Sequence, residues 1–146
     1  MSYLSNITTY QSGISQATAF RIVKRHTANA LKAYELTCMQ WFTIGTVLDA
    51  GPDGIRLSDL AKELDTTLGY MTTTINQLEA RNIVTRKDHG TDARTKLIAV
   101  TPSYVPTCRK IEADVRSKLR KVLYNKISPE ALANYVKVLV DISSLK

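Results

Sequence analysis

The sequence is poor in the residue types that most often carry catalysis, metal binding or covalent cross-links. Its 146 residues include two cysteines and two histidines. Cys38 and Cys108 lie far apart and neither has a CxxC partner. That argues against a zinc framework or a disulfide scaffold and leaves two buried thiols as the expectation. His26 and His89 have no neighbouring nucleophile or ligand, and the chain has no HExxH and no glycine-rich phosphate loop. Hence no enzyme activity, catalytic residue, metal or cofactor is expected. No apolar run approaches the ~20 residues needed to cross a bilayer. The start, MSYLSNITTYQSGISQ, lacks a basic segment followed by an apolar one. A cytoplasmic protein with no membrane partner is expected.

What is present is a core and a positive charge. The hydrophobic content of 44% and the length suit a single domain with a self-sufficient core. The net charge of +7 suggests a polyanionic partner, and the charge is unevenly placed. The stretch from Ala50 to Ala80 is acidic, with Asp53, Asp59, Glu63, Asp65 and Glu79 against Arg56 and Lys62. Arg81, Arg86, Lys87, Arg94 and Lys96 follow against only Asp88 and Asp92. A second basic run, Arg109, Lys110, Arg116, Lys118, Arg120, Lys121 and Lys126, faces Glu112 and Asp114.

Periodicity places these charges on elements. A first helix is expected from about Ser15, with Phe20, Val23, Ala30, Leu31 and Tyr34 on one face and Arg21, Lys24, Arg25 and Lys32 on much of the other. Thr37-Cys-Met-Gln40 has the form of a capping box. The helix it opens turns Trp41, Ile44, Val47 and Leu48 inward and stops at Ala50-Gly-Pro-Asp-Gly54. Ile55–Leu57 suffices for a very short strand. Ser58 is the expected N-cap of a short helix carrying Leu60, Ala61 and Leu64. After Asp65-Thr-Thr67, a further helix capped by Thr67 or Thr66 runs to about Arg81. It turns Met71, Thr74, Ile75 and Leu78 one way and Gly69, Tyr70, Thr73, Asn76 and Gln77 the other. Two helices joined by so short a turn make a helix-turn-helix.

Asn82 sits where helices end in the left-handed conformation. The β-branched runs Ile83–Lys87 and Thr95–Val100 predict antiparallel strands, joined by a loop from Asp88 to Arg94 with Gly90 at its tip and some mobility. Pro106 is accommodated if the next helix starts at Ser103 and runs to about Lys126. Ser128-Pro-Glu then opens a last helix bearing Leu132, Tyr135, Val136, Leu139 and Ile142.

The fold class is thus mainly α with a small antiparallel β-hairpin: a winged helix-turn-helix flanked by N- and C-terminal helices. From Thr37 to Thr101 the chain resembles the MarR family of bacterial transcriptional regulators. The resemblance rests on LTCMQWFTIGTVL, LSDLAKEL, MTTTINQLEARNIVTR, and DART followed by KLIAVT. Asp92 and Arg94 match the family's wing signature, Asp-x-Arg. Asn82 stands where the family usually has glycine, and Thr73 and Gln77 stand where it is often basic.

The resemblance implies residues 1–36 and 102–146 as dimerisation helices and 37–101 as the DNA-binding region. It also implies a homodimer on double-stranded DNA, reading a near-palindromic operator. Gly69, Tyr70, Thr72, Thr73, Asn76 and Gln77 would face the major groove, and Arg86, Lys87, Arg94 and Lys96 the phosphates or the minor groove. Asp92 would hold Arg94 extended. The family's small aromatic or anionic effectors imply a ligand site among His26, Tyr34, Trp41 and Gly45, and Cys38 is the candidate for redox sensing. A winged helix used as a protein–protein adaptor is the competing reading, favoured by the uncharged outer face of the recognition helix.

Overall fold

A computed structural model describes residues 6–89 and 92–146, apart from the side chains of residue 89 and residues 92–94. Its elements are α1 (Thr9–Leu31), α2 (Cys38–Asp49), β1 (Ile55–Arg56), α3 (Leu57–Glu63), α4 (Leu68–Ala80), β2 (Val84–His89), β3 (Asp92–Val100), α5 (Val105–Leu119) and α6 (Pro129–Ser143). The chain divides into two units, residues 31–113 and residues 1–30 with 114–146. Among the described residues no helix is long and apolar enough to cross a membrane.

The unit of residues 31–113 is built from capped helices on a three-stranded sheet. Thr37 accepts from the Gln40 backbone N–H while the Gln40 side chain accepts from the Thr37 N–H, a complete capping box that starts α2. The chain then turns through Gly51 and Gly54, both at positive φ, into β1. At Gly54 a Cβ would lie 2.8 Å from the Ile98 carbonyl oxygen, so only glycine lets β1 approach β3 this closely. The sheet order is β1-β3-β2, all antiparallel, with Ile55 opposite Ile98 and Val84 opposite Val100. The described helices α2, α3 and α4 bury Ile44, Val47, Leu60, Met71, Ile75 and Leu78, as the sheet buries Val84 and Ile98 and the turn before it buries Ile83. Each such side chain contributes roughly 1.5–3 kcal/mol by leaving water.

Several boundaries differ from the sequence reading. α1 starts at Thr9 rather than Ser15, because Thr8 and Gln11 form the same reciprocal cap as Thr37 and Gln40. α3 starts at Leu57, so Ser58 lies inside it, and its N-cap residue Arg56 makes no side-chain cap. Pairing of Ile55 and Arg56 with β3 carries the chain directly into the helix there. Both hairpin strands run further than Lys87 and Thr95, reaching His89 and starting at Asp92, with a register shift between Asp88 and His89. Gly90 and the expected mobility at the hairpin tip lie outside the described residues. Pro102–Tyr104 forms a 3-10 turn and α5 follows at Val105, so Pro106 falls in its first turn, where no intrahelical N–H bond is lost. After Leu119 the helix relaxes into a π stretch, Arg120–Tyr124.

In the unit of residues 1–30 and 114–146, Ser128 caps α6 by accepting from the Ala131 N–H, with Pro129 at the first helical position. This unit carries much uncovered apolar surface. On α6, Tyr135, Val136, Val138, Leu139, Val140 and Ile142 are each 44–58% exposed, and Tyr10, Ile14 and Phe20 on α1 are 62–69% exposed.

Candidate nucleic-acid interface

Helix α4 is positioned from both ends. Asp65, at φ 50°, makes the tight turn after α3, and Thr67 accepts from the Tyr70 N–H to start the helix. At the other end Asn82 adopts φ 58°, the left-handed stop read from the sequence. Met71, Thr74, Ile75 and Leu78 anchor the inner face. The opposite face, with Gly69, Tyr70, Thr73, Asn76 and Gln77, is exposed, and Thr72 at its margin is half-buried. The space above Gly69 is open. The Thr72 and Thr73 hydroxyls donate back to the Leu68 and Gly69 carbonyls at 2.8 and 3.2 Å, which leaves their oxygens able to accept.

Two arginines fasten the helix to its surroundings. Arg81 donates to the Glu35 and Tyr34 carbonyl oxygens at 2.8 and 3.0 Å. It thereby ties the end of α4 to the turn after α1, where Glu35 has φ 53°. Arg86, on β2, forks between Glu79 and the Asn76 Oδ1, the latter at 2.8 Å. It is the strand-to-helix brace of the hairpin.

The wing cations are less open than their sequence suggests. Arg86 is only 28% exposed and holds two acceptors. Lys87 donates to the Pro52 carbonyl, and Lys96 pairs with Asp88 while remaining 50% exposed. Exposed pairs of this kind contribute about 0–1 kcal/mol, so a phosphate competes with them easily. The clamped Arg86 is the harder to recruit. The Arg94 and Asp92 side chains, and the ion pair expected between them, lie outside the described residues.

Glu79, Arg81 and Gln40 are parts of this site that the sequence does not show. A capping box explains Gln40 locally, and an arginine bound to main-chain carbonyls leaves no pattern in a sequence. Among the described residues no three potential metal ligands cluster.

Residues 36–96 match the sequence pattern of the MarR family. Several solved structures share the fold over nearly the whole chain. Apo wild-type MarR from E. coli is 20% identical, with a TM-score of 0.77 over 93% of this chain and 96% of that one. The MepR–DNA complex of S. aureus is 21% identical, with a TM-score of 0.74 over 96% of this chain and 100% of that one. Sco3205, a MarR-family transcriptional regulator from Streptomyces coelicolor in complex with DNA, is 16% identical, with a TM-score of 0.79 over 94% and 88%. The matched segment covers the helix-turn-helix of α3 and α4 and most of the hairpin.

Of the proposed effector residues, Trp41 and Gly45 line one cavity of about 610 Å³ in the unit of residues 31–113, together with Phe42, Cys108, Arg109 and Glu112. Tyr34 is engaged through its carbonyl by Arg81, and His26 stands on α1 in the other unit. Cys38 and Cys108 are both buried, and burial pushes the Cys108 thiol above its ordinary range. A buried thiol is a poor redox sensor, because thiolate character and access govern oxidation.

Proposed function

We propose that the protein is a homodimeric transcriptional regulator that binds double-stranded DNA, with α4 in the major groove and the hairpin as a wing along the backbone. The observation that carries this reading is the outer face of α4. It is polar, exposed and held in place by Arg81 and Arg86, inside a segment that matches the MarR family. Tyr70, Thr72 and Thr73 supply contacts to phosphates and thymine methyls, and Asn76 and Gln77 reach base edges. Lys87, Arg94 and Lys96 neutralise phosphates, with Arg94 directed at the minor groove, while Arg86 acts mainly by holding the helix. The apolar faces of α1 and α6 pair two copies within segments 1–36 and 102–146, so the operator is two-fold symmetric with half-sites about one turn (~34 Å) apart. MepR and Sco3205 have been solved on DNA. The cavity beside Trp41 and Gly45 is the place for a small aromatic or anionic effector, with Arg109 offering the positive charge.

The test is selection from a random duplex pool, followed by titration of the enriched duplex. Enrichment of a two-fold site and weaker binding by Arg94→Ala support the reading. Three phosphate-binding cations per protomer make six per dimer, so affinity falls about 10³-fold between 50 and 200 mM salt. A protein–protein adaptor would enrich no duplex at any salt.

A further inference from the structure

We infer that hydrogen bonds within the protein orient the two amides on the recognition helix so that both present NH₂ donors to DNA, which favours guanine or thymine edges over cytosine. The inference rests on the DNA-binding reading above. Its basis is a pair of hydrogen-bond chains whose directions chemistry dictates. Arginine offers donors and no acceptor, so the Asn76 atom 2.8 Å from the Arg86 guanidinium is Oδ1. The Asn76 NH₂ is then left to face outward on an exposed residue.

The second chain starts two elements away. The backbone N–H of Thr37 can only donate, so the Gln40 atom it meets at 2.9 Å is Oε1. The other end of that amide, Nε2, must donate, and it reaches Gln77 at 3.3 Å. The Gln77 atom it meets is therefore Oε1, and the Gln77 NH₂ also faces outward. The capping box of α2 thus sets the amide orientation of a side chain on α4. Among the described residues neither outward NH₂ has a hydrogen-bond partner.

An amide free to turn reads adenine in both directions, accepting from N6 and donating to N7. Here each oxygen is already turned toward a protein donor, so the NH₂ is the group left unengaged. What they present matches the adjacent acceptors of guanine, N7 and O6, or O4 of thymine. Cytosine offers its N4 donor to a donor and is rejected, and adenine is reached only through N7.

Gln40→Glu tests the orientation directly. Glutamate at this position still accepts from the Thr37 N–H, so the capping box survives. Its second carboxylate oxygen cannot donate to Gln77, so the Gln77 amide turns over and presents Oε1. Random-duplex selection is run on the wild type, Gln40→Glu and Gln40→Ala, each checked for native helicity. The wild type is expected to enrich guanine or thymine at the contacted positions. Gln40→Glu should move one position per half-site toward adenine or cytosine, changing that preference ratio on the order of tenfold. Gln40→Ala should relax the same position without inverting it. If the wild type enriches a site and Gln40→Glu enriches the identical bases, the amide lock is wrong while DNA binding stands. If the wild type enriches nothing, the DNA-binding reading itself falls, and the lock with it.

Discussion

Single residues in this protein are informative where an ordinary preference is broken. Asn82 occupies a left-handed position that the sequence announced, but Glu35 and Asp65 do the same and were not announced. Neither residue type marks such a turn as clearly as glycine does. Thr101 is another exception: its hydroxyl is buried and has no hydrogen-bond partner among the described residues. Replacing it by valine removes an unsatisfied polar group at nearly constant shape. Thr101→Val should therefore raise unfolding free energy by about 1 kcal/mol in urea denaturation. Cys108 and Tyr104 show burial in another way, since desolvation raises both pKa values, and Arg81 only partly offsets this for Tyr104. The unfolded chain ionises both groups at lower pH than the folded one. Stability from this source is thus complete below about pH 9, the ordinary range of the thiol, and is lost as pH rises through the raised folded values. Denaturation midpoints measured from about pH 9 upward should fall, and Cys108→Ala should flatten part of that fall.

At the scale of elements, most of the architecture was readable, because helix starts depend on local chemistry. Thr37, Thr67 and Ser128 all cap as their side chains suggest. Departures occur where pairing or a second signal outweighs the obvious one. The Thr8–Gln11 cap, of the same form as the Thr37–Gln40 cap, starts α1 ahead of Ser15. At Ser58 a good capping residue lost to strand β1, which feeds α3 two residues earlier, with Arg56 at the N-cap. Strand β1 itself depends on Gly54. Gly54→Ala combines a positive φ of 86° with a methyl 2.8 Å from a backbone oxygen of β3. It should destabilise the fold by at least about 2 kcal/mol, most visibly as faster amide exchange across β1 and β3.

For the whole molecule, the uncovered apolar surface of α6 sets the expectation. Six large side chains at 44–58% exposure on one helix are a poor surface for a solitary chain. Because Val136 and Val140 are exposed within the chain, aspartate at both should leave its own fold intact. Sedimentation should then report a dimer for the wild type and a monomer for the double variant. The variant should also lose the two-fold site and bind a half-site duplex weakly. A wild type that sediments as a monomer would overturn the dimer.

The order of helices, the hairpin, and the face of α4 that turns outward were determined by the sequence alone, because periodicity and capping act within a few residues of where they are written. So was the left-handed stop at Asn82. The bonds that Arg81 and Arg86 make were decided only by the fold, which brings Tyr34, Glu35, Asn76 and Glu79 to them across gaps in the chain. The same is true of Gln40. Its local bond to Thr37 is legible in four residues, but its second bond reaches Gln77 across 37 positions, and only packing of α2 beside α4 could make it. Hydrogen-bond direction then passes from a helix cap to the reading face, a consequence that no local pattern encodes.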